Sequence, residues 1–301
     1  MGDATAAGRP ETVTAGDAAA TPGPSGTDPA GADLAGADLA GADLAGADLA
    51  GADLAKAGLR LEVDGAVATV TLNRPERRNA MTFDTWRGLA AIGRSLPAGV
   101  RVVVLRGEGA CFSAGIDLGM FSGDGEGFTD GSDAEATDRF IAELQEGYTW
   151  LRRPEIVSVA AVHGHAIGGG FQLALACDIR VAADDVKFCM KEPALGLVPD
   201  LTGTKPLVEI VGIGRALELC LTARTVLADE AARLGLAEIV VPRDGLDGAV
   251  RELTEALLAV NPGAAVATKR LLWEAAENTL EQQCAAERRE QIGRLREMFG
   301  G

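Results

Sequence analysis

Apolar and polar residues alternate with a period of two from Leu59, where LRLEV runs into Asp64–Gly65 and then AVATVTL, the pattern of two strands joined by a tight hairpin turn. Thr82 then stands in the N-cap position of a stretch with helical spacing that reaches about Leu96. Three short apolar runs follow, VRVVVL at 100–105, EIVSVAAV at 155–162 and DIRVAA at 178–183, and each predicts a buried strand. Helical patterns fill the intervals, and such alternation predicts an α/β architecture. Beyond Pro242 the spacing is helical almost to the end, through LDGAVRELTEALLAV, AAVATKRLLWEAAENTL and QQCAAERREQIGRLREMF. This predicts a helical C-terminal subdomain over 246–301, suited to oligomer contacts.

The first 55 residues break the pattern. Residues 1–30 are rich in Ala, Gly, Pro, Thr and Asp, and residues 31–55 are five copies of GADLA. A five-residue step rotates a helix by about 500°, so the repeated leucines share no face. The A-D-L-x-x pattern resembles a pentapeptide-repeat solenoid, but five copies make little more than one coil, too few to bury a core. The expectation is a low-complexity, disordered repeat tail over 1–56, an ordered core over 57–245 starting near Lys56, and the helical region beyond.

Of 301 residues 47% are hydrophobic, enough for a sizeable core, while the formal net charge is −16. Nine acids against Arg9 put half of that excess in the tail. The balance argues against nucleic acid or an anionic membrane as partner, since both require a basic footprint. Five widely spaced cysteines without a CxxC pair fit reduced thiols and no metal site, and no signal peptide opens the chain; both point to the cytoplasm. Ile156 to Cys177 carries no Asp, Glu, Lys or Arg, yet His163, His165, Gln172 and four glycines interrupt it, so it reads as a buried strand and helix and not a membrane span.

The stretch HAIGGGFQLALACDIRV at 165–181 places three helix-weakening glycines where a helix begins. Neither GxxxxGK[ST] nor GxGxxG occurs, and CFSAG at 111–115 fails the GxSxG elbow because Cys111 replaces its first glycine. What remains is a strand that turns through glycines into a helix, where unpaired N–H groups and the helix dipole stabilise an oxyanion. Tight packing of strand on helix explains the glycines equally well. A second glycine turn, FSAGIDL at 112–118, tips the balance, because two such turns supply the two donors of an oxyanion hole.

NRPERRNAM (73–81), GACFSAGIDL (109–118), AAVHGHAIGGGFQLALACDIRVAADDVKF (160–188) and KEPALGLVPD (191–200) together resemble the enoyl-CoA hydratase/isomerase family, the crotonase superfamily. The resemblance runs from about Leu59 to the C-terminal helices and implies a crotonase-like spiral of ββα units assembled as homotrimers or homohexamers. It implies an acyl-CoA thioester substrate whose enolate is held by two backbone N–H groups, here those of Ile116 and Gly169. Coenzyme A enters as part of that substrate, with no separate cofactor. Arg78, Ala80, Ala114, Asp117 and Leu118 fall in the segments that would contact it.

The acids bear on the reaction. Hydratases of the family carry one glutamate two residues after the glycine triplet and another in the segment matching KEPALG; here those positions hold Gln172 and Glu192. An amide can hold water but cannot take its proton, whereas moving a double bond asks for one carboxylate. Asp200, eight residues beyond Glu192, resembles the dienoyl-CoA isomerase branch, although that branch has an aspartate in place of Gln172. Glu192, Asp200 and Gln172 are therefore the candidate catalytic side chains, and a double-bond isomerase is favoured. The rivals are a hydratase working with one glutamate and a silent acyl-CoA-binding scaffold. His163 and His165 read as packing residues, Asp178 as a turn stabiliser, and GEGFTDGSD at 125–133 as a loop near the acyl pocket.

Overall fold

The computed structural model describes residues 54–121 and 131–300. The tail over 1–53 and most of the loop at 125–133 lie outside them. Leu54 packs against the core beside buried Ala57, and the chain then enters β1 (Leu59–Asp64), a turn at Asp64–Gly65 and β2 (Val67–Leu72) as an antiparallel hairpin. Helix α1 (Phe83–Ser95) starts at Thr82, whose hydroxyl accepts from the Thr85 N–H while the Thr85 hydroxyl accepts from the Thr82 N–H, a capping box that satisfies two donors at the helix start.

Strands β3 (Val102–Gly107), β4 (Val157–Val162), β6 (Ile179–Ala183) and β9 (Ile239–Val241) join β2 in parallel, giving a six-stranded sheet in the order β1-β2-β3-β4-β6-β9. A second sheet runs β5-β7-β8, from β5 (His165–Ile167), β7 (Lys187–Cys189) and β8 (Val226–Leu227). Strands β4 and β6 of the large sheet are thus each followed at once by a strand of the small one, β5 and β7, and the chain spirals as it advances. Between these strands lie α2 (Ala134–Thr149), α3 (Gly169–Ala176), α4 (Thr204–Val211), α5 (Ile213–Thr222) and α6 (Ala228–Leu234).

The central strands β3, β4 and β6 are buried on both faces, which is why they read as continuous apolar runs, whereas the edge strand β1 is largely exposed and alternates. Val103, Leu105, Ala160 and Val162 face a core with Trp86, Leu89, Leu144, Tyr148 and Phe171, whereas Val102, Val104, Val159 and Val181 face Leu246 and Val250 of α7 (Leu246–Ala259). Helix α7 therefore covers the sheet itself, and only α8 (Pro262–Glu274) and α9 (Leu280–Phe299) extend beyond it. Among the described residues, no helix is long and apolar enough to cross a membrane.

Candidate active site

Two loops are stitched together at the mouth of the fold. Buried Asn79, at φ 53°, accepts from the Arg74 N–H through Oδ1 and donates through Nδ2 to the carbonyls of Glu108 and Cys111. The Ser113 hydroxyl donates to the Asn79 carbonyl and accepts from the Gly115 N–H. Arg74 reaches the Ala80 carbonyl at 2.7 Å and the Asp117 carboxylate at 3.0 Å. These bonds hold NRPERRNAM against GACFSAGIDL.

Met81 bridges Ile116 in parallel: its N–H donates to the Gly115 carbonyl and its carbonyl accepts from the Asp117 N–H. That register turns the N–H of Ile116 the other way, and it donates to no acceptor among the described residues. Gly169 is the first residue of α3, where a helix leaves its N–H without an intrahelical partner. The two turns touch. Gly115, at φ 89°, has room for no side chain, since a Cβ there would stand 2.5 Å from the Ile167 carbonyl oxygen and 3.6 Å from the Gly169 nitrogen.

A cavity of 720 Å³ opens over these turns. Ile116, Gly169, Glu192, Asp200, Arg78, Ala80, Ala114, Asp117 and Leu118 all line it, so nine of the ten residues proposed from sequence meet at one place. Trp86, Phe140, Ile141, Leu144 and Leu201 form an apolar wall, with Phe83 edge-on to Phe140 behind it. Arg77, Arg78 and Lys191 supply positive charge along the lining.

Gln172 is the exception. Its side chain is fully buried and lies one layer behind Glu192, where Nε2 donates to Glu192 Oε1 at 2.6 Å and Oε1 accepts from the N–H groups of Leu201 and Gly203 at 2.9 and 3.1 Å. Glu192 opens the 3₁₀ turn Glu192–Leu195 and lays its carboxylate over Gly168, whose φ of 52° and missing Cβ admit it. Glu192 Oε2 is buried without a hydrogen-bond partner among the described residues. Burial pushes the Glu192 carboxyl above its ordinary range; backbone N–H groups and the Gln172 amide oppose the shift, and the charge of Asp200 adds to it. Burial raises Asp200 as well.

Trp86 and Tyr148 carry a contribution that sequence reasoning missed. The Trp86 indole N–H donates to the Tyr148 hydroxyl at 2.9 Å, and that hydroxyl lies 3.2 Å from the Gly169 carbonyl, pinning the start of α3 from below. Tyr148 is the one tyrosine of the chain, a signal available in the sequence, but its partners lie 62 and 21 residues away. Arg74 lies within NRPERRNAM, yet its pairing with Asp117 spans 43 residues. His163 sits where packing was expected, buried with its ring against the Gly109 carbonyl. Among the described residues, no group of three or more His, Cys, Asp or Glu is placed to hold a metal ion.

The site sits in a spiral α/β fold in which paired glycine turns and one buried carboxylate line the same cavity. The chain belongs to the enoyl-CoA hydratase/isomerase family, whose profile matches residues 62–293. The peroxisomal Delta(3,5)-Delta(2,4)-dienoyl-CoA isomerase of Arabidopsis thaliana is 34% identical over 233 residues, which span 74% of this chain and 83% of that protein. The short-chain-enoyl-CoA hydratase of Clostridium acetobutylicum is 32% identical over 222 residues, 70% of this chain and 79% of the relative. A crystal structure from Thermobifida fusca YX, solved in complex with CoA, is 58% identical with a TM-score of 0.79 and covers 82% of this chain and 96% of its own. Residues 30–60 match the pentapeptide-repeat profile, in eight copies.

Proposed function

We propose that the protein shifts a carbon–carbon double bond in an acyl-CoA thioester, with Glu192 as the group that moves the proton. The observation that carries this reading is the pairing of Glu192 with an amide: Gln172 stands where a second carboxylate would be needed to deprotonate water, and its three hydrogen bonds are all committed within the protein. The Oε2 atom of Glu192 removes a proton from the α-carbon of a 3-enoyl thioester. The electron pair moves onto the thioester oxygen, where the N–H groups of Ile116 and Gly169 hold the charge. As the carbonyl re-forms, the proton returns to C4 and the double bond ends between C2 and C3.

Asp200, on the same cavity, serves as the second acid where the double-bond system is longer, as in a 3,5-dienoyl thioester. The dienoyl-CoA isomerase relative supports this extension. Arg77, Arg78 and Lys191 offer charge for the phosphates of coenzyme A. Assembly as homotrimers or homohexamers accords with exposed Leu272, Leu280, Met298 and Phe299 on α8 and α9, and cytoplasmic action accords with free cysteines.

Water addition is the second reading, supported by the hydratase relative. Incubation in D2O with 2-enoyl-, 3-enoyl- and 3,5-dienoyl-CoA esters, with products read by NMR and mass spectrometry, separates the two. Migrated double bonds without a gain of water are expected. Products heavier by one water make the protein a hydratase, and binding of every ester without turnover leaves the scaffold reading.

A further inference from the structure

Gln172 makes three hydrogen bonds, and they run to two different acids' supports. Its Nε2 holds one oxygen of Glu192, while its Oε1 gathers the N–H groups of Leu201 and Gly203, the residues on either side of Thr202. Thr202 has a φ of 70°, an unfavourable conformation for a β-branched residue, and directly follows the pair Asp200–Leu201. Gly203 packs so closely on Gln172 that a Cβ there would stand 2.6 Å from its Cγ. The amide thus hydrogen-bonds both to Glu192 and to the turn carrying Asp200. The Gln145 amide adds one bond to that turn, at the Asp200 carbonyl, 2.7 Å away.

We infer that Gln172 is a positioning residue: it fixes Glu192 with one oxygen held and the other left without a protein partner among the described residues, and it ties that orientation to the left-handed turn that carries Asp200. The inference rests on the reading of Glu192 as the proton-moving group. An amide suits this place and a carboxylate does not, because the atom facing Glu192 must donate and the atom facing the turn must accept. A neutral Gln does both at once, whereas a Glu does so only with a proton on the oxygen facing Glu192. The charge of Asp200, on the same cavity, raises the Glu192 carboxyl further, and the charge of Glu192 in turn raises the Tyr148 hydroxyl and the Cys189 and Cys220 thiols.

Two variants separate the two halves of the role. Gln172→Glu keeps the length and the acceptor for Leu201 and Gly203 but loses the neutral donor; Gln172→Leu loses both. The test is a carbon-13 NMR titration of carboxyl-labelled protein, with the Glu192 signal assigned by its absence in Glu192→Gln, alongside kcat and KM for whichever enoyl-CoA reaction the wild type catalyses. In Gln172→Glu the Glu192 titration moves up by about one unit or more, since two carboxyl groups then share one proton. In Gln172→Leu kcat falls at least about tenfold with KM within about threefold, as expected when a reacting group is misplaced. An unchanged Glu192 titration in Gln172→Glu, or a wild-type kcat in Gln172→Leu, overturns the inference. The titration needs no turnover, so it decides the role of Gln172 even if the product assay shows hydration and the isomerase reading falls.

Discussion

Lys269 of α8 places Nζ 2.7 Å from Asp178 Oδ2, and the same nitrogen donates to the carbonyls of Arg153 and Ile156. Asp178 Oδ2 also accepts from the N–H and hydroxyl of Ser158, and Oδ1 accepts from the Trp273 indole. Asp178 was read from sequence as a local turn stabiliser; its partners instead join the loop before β6 to β4 and to a helix 91 residues away. Lys269 is buried, and burial pulls its ammonium below the ordinary lysine range while Asp178 opposes the shift. Lys269→Met leaves Asp178 charged without its counterion, at a cost of about 3–5 kcal/mol. Urea denaturation of Lys269→Met, Asp178→Asn and the double variant tests this: the double variant loses less than the two singles together, and simple additivity would show that the pair is not coupled.

Glu192 sets a second expectation. Its carboxyl is raised in the folded protein, so the native state holds a proton that the unfolded chain has released, over the window between the ordinary glutamate range and the raised value. Below that window Glu192 costs nothing; as pH rises through it, the buried charge forms and destabilises the fold. Glu192→Gln therefore removes activity, leaves CoA-ester binding within a few-fold and raises the melting temperature at pH 7. In the wild type, kcat/KM rises with pH through a limb above the usual carboxylate range. A limb near pH 4.5 in the pH–rate profile would show that Glu192 is not the titrating base.

The contact between the two glycine turns leads to a third. A Cβ at Gly115 meets the Ile167 carbonyl, and the φ of 89° adds strain, so Gly115→Ala pushes the two N–H groups apart. Loss of one oxyanion donor costs roughly 100- to 1,000-fold in kcat. Steady-state kinetics checks this, with calorimetry of CoA-ester binding to show that the cavity still forms; a kcat within threefold of wild type would remove these turns from charge stabilisation.

Tyr148 gives a fourth. Tyr148→Phe strands the buried Trp86 indole N–H and removes a second bond to the Gly169 carbonyl, at about 1–3 kcal/mol for a buried polar group left unmade. Thermal unfolding of the variant reads the loss, and kcat falls several-fold while KM holds, because the start of α3 is less firmly placed. An unchanged melting temperature would mean that the hydroxyl carries no net stability.

The linear order of apolar runs was enough to establish the hairpin at Asp64–Gly65, the Thr82-capped helix, the strands around residues 102, 157 and 179, and the helical end, because each depends on periodicity and turn chemistry within a few residues. Motif resemblance brought in nine residues that line one cavity, since glycine turns and the KEPALG segment keep their identity along the chain. Only the tertiary structure decided which of them touch. Gln172 and Glu192 are 20 residues apart and meet at 2.6 Å because β6, β7 and the turn after them fold back over α3. The same applies to Trp86 with Tyr148 and to Lys269 with Asp178, pairs made by packing of elements that carry no local mark of their partner. Sequence named residues that gather around one cavity, and packing across distant segments selected which polar atoms are held, which are left free, and which way each one faces.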